Sequence, residues 1–148
     1  MKIDAFYSGS KGNCYRLTGG YSTLLLEAGV KIKQIEEAVR WQLANIDGVL
    51  LTHEHSDHSH AVKALIRRGV KVYTSQGTAE ALKLSPDDYC RLEAMQQYKI
   101  GEFKVVPFAT KHDAAEPLGF YIAHGGERLV FATDTYNVPN TFAKVTYW

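Results

Sequence analysis

The sequence predicts an α/β fold in a single domain. Three observations carry that expectation. GVLLT at 48–52 is a short apolar run of the kind buried on both faces of a sheet. Helical periodicity flanks it, at 31–43 and 61–68. From residue 96 onward the pattern returns to strands, in QQYKI, FKVVPFAT, GFYIAH and ERLVFATD. The chain has 148 residues, 45% hydrophobic and 22% charged, which suits one soluble domain with one core.

Residues 2–7 (KIDAFY) alternate as a strand does. SGSKGN, 8–13, reads as a tight loop, and a structural turn is the better reading of it than a phosphate cradle, because it lacks Walker spacing and opens no helix. CYRLT and YSTLLLE flank Gly19-Gly20, a hairpin signal, so the chain should begin with three antiparallel strands. Ile32, Ile35, Val39 and Leu43 fall on one helical stripe, with Asn45 as the stop. After GVLLT and a polar cluster, AVKALIRR is helical, with Lys and Arg in its last turn and Gly69 ending it. VKVYT is the next strand and TAEALKL the next helix, which gives the strand–helix alternation of an α/β layer. His124-Gly125-Gly126-Glu127 forms a hairpin turn between the last two strands, and the chain runs on to VTYW.

A net charge of +1 gives no global field toward nucleic acid or an anionic membrane. Lys63, Arg67, Arg68 and Lys71 are the only basic cluster, and helix capping and solvation account for it. The start lacks the apolar run of a signal peptide, and no stretch approaches a membrane span. Cys14 and Cys90 are too few and too far apart for a disulfide framework; two half-buried thiols in a reducing cytoplasm are expected.

The segment THEHSDHSH, 52–60, holds four of the six histidines. His53 and His55 are one residue apart on an extended chain leaving a strand, so they point the same way. Asp57 and His58 follow where the chain turns, and aim at a different point; two adjacent metal positions result. The spacing does not fit a zincin helix, and cysteines for a zinc finger are absent. His112 and Asp134 each follow an apolar strand, as His53 does, so three strand-end groups can meet on one rim.

H53-E-H55-S-D57-H58 resembles the H-x-H-x-D-H signature of the metallo-β-lactamase fold. S8-G-S-K-G-N13, L26-E27-A28-G29, K111-H112-D113 with G119-F120, and F131-A-T-D134-T135 are similar to the other motifs of that superfamily, in its phosphodiesterase and exonuclease-like branch. The resemblance implies a four-layered αββα sandwich, of which residues 1–148 make a single, C-terminally incomplete domain: the first half and part of the second. It also implies roles. His53, His55 and His112 would hold one divalent metal, Asp57 and His58 a second, with Asp134 bridging. Zinc leads, with manganese or iron as alternatives. Glu54 would hydrogen-bond the backbone or a ligand, while His60 and His124 would lie outside the metal set.

The family's second metal usually gains another histidine downstream of the bridging Asp, and none follows His124. A truncated product, a naturally short variant, and a homodimer in which a neighbouring subunit completes the exposed sheet edge are three explanations. The implied chemistry is hydrolysis by a metal-bound hydroxide oriented by the catalytic Asp57, on an anionic substrate: a phosphodiester of a nucleotide or nucleic acid. Hydrolysis of a carbonyl ester, thioester or lactone, and metal binding without catalysis, are the competing readings.

Overall fold

A computed structural model describes residues 1–135; the VTYW end lies outside the described residues. The chain opens with β1 (Lys2–Tyr7), β2 (Cys14–Gly19) and β3 (Ser22–Leu26), paired antiparallel as the sequence predicts. Gly19 pairs with Ser22, which shifts the two-residue turn to Gly20-Tyr21, and Gly20 supplies the left-handed φ of +57°. Helix α1 follows (Ile32–Ala38), then β4 (Gly48–Leu50), α2 (Ser56–Ser59), α3 (Val62–Arg67), β5 (Val72–Thr74) and α4 (Gln76–Ala81). The last stretch is β6 (Cys90–Arg91), β7 (Tyr98–Ile100), β8 (Phe103–Ala109), β9 (Leu118–His124) and β10 (Glu127–Phe131).

Two sheets result. One has the order β1-β2-β3-β4-β5-β6, parallel from β3 onward; the other is antiparallel, β10-β9-β8-β7. Strand parity sorts the core into two slabs. Leu25, Val49, Leu51 and Val72 turn to one face, where Ile35 and Val39 of the α1 segment and Val62 and Leu65 of α3 cover them. Leu24, Leu26 and Leu50 turn to the other, where Phe103, Val105, Phe120 and Ile122 of the second sheet meet them. The described residues therefore stack helix, sheet and sheet, three layers of the αββα sandwich.

Two elements depart from expectation. The helix predicted over 31–43 ends at Ala38. Arg40 and Trp41 take left-handed φ values of 52° and 61°, and the Trp41 N–H donates to the Glu36 carbonyl, closing the helix by a glycine-style termination without a glycine. Val39 is still buried with Ile35, so the apolar period continues past the helical backbone. The short β6 was not foreseen; two residues carry no periodicity. Pro107 sits within β8, beyond the part that β7 pairs, where its missing N–H costs no ladder bond.

Candidate metal centre

The carboxyl ends of parallel β3 and β4 meet at one rim, the position at which open α/β sheets place their sites. Glu27 leaves β3 there and Thr52-His53 leave β4. The Leu118 N–H donates to the Thr52 carbonyl, which joins the second sheet to the first at this point. Strand ends of the second sheet then deliver His112, after β8, and Asp134, after β10.

The six sequence-predicted residues fall into two groups. His53, His55 and His112 form one; Asp57, His58 and Asp134 form the other; in each, one ligand atom per residue lies within 4.8 Å of the rest. Ring centroids of His53 and His112 are 4.6 Å apart, and those of His55 and His112 4.8 Å. His112 Nε2 is 3.1 Å from His55 Nδ1, so a proton or a cation must separate the two lone pairs. Asp134 Oδ2 reaches both groups, 3.8 Å from His53 Nε2 and 2.7 Å from His58 Nε2.

The fully buried Glu27 organises the base of the site. Its Oε1 accepts the Thr52 N–H and its Oε2 accepts the Thr52 hydroxyl, each at 2.8 Å. The His58 Nδ1–H also donates to Oε2, at close range. Because the Thr52 hydroxyl gives its proton to Glu27, it accepts the Nδ1–H of His53, 2.8 Å away. Both histidines thus carry their protons on Nδ1, and both Nε2 lone pairs face the space beside Asp134. Both Nε2 atoms are buried; that of His53 has no hydrogen bond, and that of His58 meets the carboxylates of Asp134 and Asp57, 2.7 and 3.4 Å away. Burial, followed by the charges of neighbouring histidines, lowers the pKa of His53 to about 3, which keeps it a neutral donor. At His58 burial opposes the charge, but the Glu27 hydrogen bond and the carboxylates of Glu27, Asp57 and Asp134 outweigh it and raise the pKa. A cation in that space would take the place of the proton. Three imidazoles in one group, and one imidazole with two carboxylates in the other, are a donor set suited to borderline dications.

Neighbouring residues hold the motif in place. The Asp57 carbonyl accepts the Asn13 backbone N–H at 2.8 Å and its side-chain amide at 3.2 Å. SGSKGN thus has a structural role, gripping the turn that carries Asp57. The Ala28 N–H donates to the His58 carbonyl, and a Cβ on Gly29 would lie 1.6 Å from the Asp57 carbonyl oxygen. Glu54 bonds the backbone as predicted: Oε1 accepts the Ala115 N–H at 2.8 Å, tying the His112 loop to the histidine motif. His60 caps α2 and is exposed.

Some expectations need correction. His124 ends β9 beside the hairpin turn, half-buried, with its ring 5.5 Å from that of Phe103. Cys14 is wholly buried rather than half-buried, and burial raises its thiol to about 12; Cys90 is the half-buried one, and both are free. Of the basic cluster, Arg68 pairs with Glu36 at 2.5 Å. Glu27, Thr52 and Asn13 received no role from the sequence. Glu27 had a visible signal: it is a lone acid at the end of an apolar strand, the placement that marked His53, His112 and Asp134.

The profile of the beta-lactamase superfamily domain matches residues 22–146. An exodeoxyribonuclease YycJ of Bacillus anthracis is 35% identical over 145 residues, covering 91% of this chain and 54% of that protein. An exodeoxyribonuclease WalJ of Streptococcus pneumoniae is 29% identical over 98% of this chain and 58% of that one. The chain thus spans little more than half the length of these relatives. Among solved structures, the metallo-beta-lactamase fold protein YhfI of Bacillus subtilis superposes with a TM-score of 0.76 at 17% identity, over 93% of this chain and 63% of that one, a likeness of fold. A metallo-beta-lactamase of Cronobacter sakazakii gives 0.73 at 20% identity, over 95% of this chain and 64% of that one.

Proposed function

Because the chain belongs to the beta-lactamase superfamily, with residues 22–146 matching its domain, we propose that it is a metal-dependent phosphodiesterase whose substrate is DNA. The observation that carries this reading is the pair of adjoining donor groups with Asp134 Oδ2 close to both. Two relatives are named exodeoxyribonucleases, which supports a nucleic-acid substrate over a carbonyl ester.

In this reading His53, His55 and His112 would hold one cation, Asp57 and His58 a second, and Asp134 both. Zinc is our choice, since an imidazole-rich set with few carboxylates favours it over manganese. Bound dications acidify a water molecule and stabilise an anionic transition state. The chain's residues supply the rest. Asp57, half-exposed at the rim, would orient the attacking hydroxide. Through Thr52, Glu27 holds the proton of His53 on Nδ1, and by its own bond to His58 Nδ1 it aims the Nε2 of that ring at the second cation. Glu54 and Asn13 hold the His112 loop and the Asp57 turn in register with them.

We take residues 1–148 as part of a single metallo-β-lactamase-like domain, in keeping with the near-continuous profile match. Among the described residues no helix is long and apolar enough to cross a membrane. A cytoplasmic setting is the reading in which Cys14 and Cys90 stay reduced.

Turnover of bis-p-nitrophenyl phosphate and of end-labelled DNA tests the proposal. Both should be lost in His55→Ala and His112→Ala and kept in Lys71→Ala, an exposed position away from the site. Full metal occupancy with no turnover of either substrate would overturn the enzyme reading in favour of a metal-binding domain without catalysis.

A further inference from the structure

Resting on the phosphodiesterase reading, we infer that the groove running from Asp57 between Lys11 and Lys31 takes the backbone phosphates of a single DNA strand beside the scissile one. Besides the groove around Arg16, Thr23 and Asn45, which shares no residue with the metal centre, three further grooves among the described residues carry polar side chains. One, lined by Lys63, Arg67, Lys83 and Asp88, shares no residue with the metal centre. Another, at the β9–β10 turn, includes Glu102 and Glu127 together with Lys104 and Arg128, and also shares none. The third is lined by Ser10, Lys11, Lys31, Gln34 and Asp57, and Asp57 belongs to the candidate metal centre as well.

The walls of this groove are fastened to the centre. The Asn13 N–H donates to the Asp57 carbonyl and the Gly29 N–H to the Asn13 carbonyl, so the 8–13 loop, the segment leading into α1 and the Asp57 turn are stitched together by backbone hydrogen bonds. Gly12 and Gly29 allow that closeness. A Cβ on Gly12 would lie 2.3 Å from the Gly29 carbonyl oxygen, and one on Gly29 would overlap Asp57. Lys11 and Lys31 are exposed, and neither has a carboxylate within ion-pair distance among the described residues. The Gln34 side-chain oxygen already accepts the Lys31 backbone N–H at 3.1 Å, so its NH2 group remains a donor. The groove thus offers two ammonium groups, the hydroxyls of Ser10 and Ser56 and an amide donor beside a centre suited to a phosphate. Apart from the Asp57 carboxylate the polar lining is positive or hydrogen-bonding, and the His60 ring is its one aromatic group, which fits sugar–phosphate backbone better than a stack of bases.

The test is binding, which needs no turnover. Zinc-loaded chain is titrated with a fluorescein-labelled phosphorothioate oligothymidine of about twelve nucleotides, followed by anisotropy across a salt series. Lys11→Ala/Lys31→Ala should weaken affinity about tenfold or more, and should flatten the slope of log affinity against log salt by about 1.4, from two phosphates at ~0.7 each. Lys63→Ala/Arg67→Ala removes the same charge from the unconnected groove and should leave both quantities as in the wild type. Equal losses in the two double variants, or no loss in the first, would overturn the groove assignment. Displacement of the oligonucleotide by poly-glutamate at matched charge would overturn it too, by making the groove a general polyanion surface. Wild-type binding with the expected salt slope but no DNA hydrolysis would leave the groove standing while the phosphodiesterase reading fell.

Discussion

Glu27 governs His53 through a third residue: the Thr52 hydroxyl donates to Glu27 Oε2 and accepts from His53 Nδ1, both at 2.8 Å. The same carboxylate takes the Nδ1–H of His58. One fully buried acid therefore sets the tautomer of a histidine in each donor group. Its own backbone is left-handed, φ 68°, an uncommon setting for a residue with a side chain. That conformation turns the carboxylate under the two rings at the strand ends.

Thr52→Val keeps the shape and removes the relay. With the hydroxyl gone, His53 can place its proton on Nε2, the atom the site needs bare. Affinity for the first cation should fall roughly 10–100-fold, the scale usual for such supporting bonds. Thr52→Ser should retain most of it. Competition titration against a chromophoric chelator measures both, and equal affinity in Val and Ser variants would remove the relay from the account.

Glu27→Gln places a donor where two acceptor oxygens served three donors. Either the Thr52 N–H or the His58 Nδ1–H then faces an NH2 group. The cost of one unsatisfied buried donor is about 1–3 kcal/mol of stability. The chain should still bind one cation and lose the second. Metal content by inductively coupled plasma mass spectrometry after gel filtration, with the denaturant midpoint, reads both effects.

Gly29→Ala should be among the most damaging substitutions outside the ligands, since its Cβ would overlap the Asp57 carbonyl. Gly125→Ala is the comparison: nothing lies within 4 Å of a Cβ there, and only its φ of 55° opposes the change. The latter should cost about 1–2 kcal/mol, the left-handed penalty alone. Denaturant midpoints should rank wild type, then Gly125→Ala, then Gly29→Ala. The reverse order would mean that the Asp57 turn can yield.

Cys14 should resist alkylation in the native state while Cys90 reacts. Cys14 is wholly buried beside the Glu27 charge, and its thiol is raised to about 12 from 9. Since the folded value lies above the unfolded one, the protonated thiol favours the folded state, and this contribution erodes as pH climbs above the unfolded value, across roughly 9 to 12. Iodoacetamide labelling read by mass spectrometry at pH 8 should modify Cys90 alone, with Cys14 labelled only in denaturant.

Much of this was legible in the chain because buried strands and strand ends write themselves plainly. GVLLT, FKVVPFAT and LVFAT each carry enough apolar residues to mark a strand, and His53, His112 and Asp134 follow them as polar punctuation. The helix over 31–43 was overextended because Leu43 keeps the apolar period, packing on the same core as Ile35 and Val39, after Arg40 and Trp41 have turned the backbone. Periodicity reports burial, and burial outlasts the helix here. Glu27 was overlooked for a different reason. Its role depends on β3 lying parallel to β4, a neighbour relation between residues 25 positions apart that no local pattern encodes.

The central claim is that His53, His55 and His112 converge on one cation, with a second beside it at Asp57, His58 and Asp134. An anomalous difference map recorded at the zinc edge, from a crystal of the zinc-loaded chain, tests it directly. The account predicts a strong peak within bonding distance of all three imidazoles, and another bordered by His58, Asp57 and Asp134. A map with no peak among His53, His55 and His112, or with its strongest peak elsewhere on the chain, would contradict it.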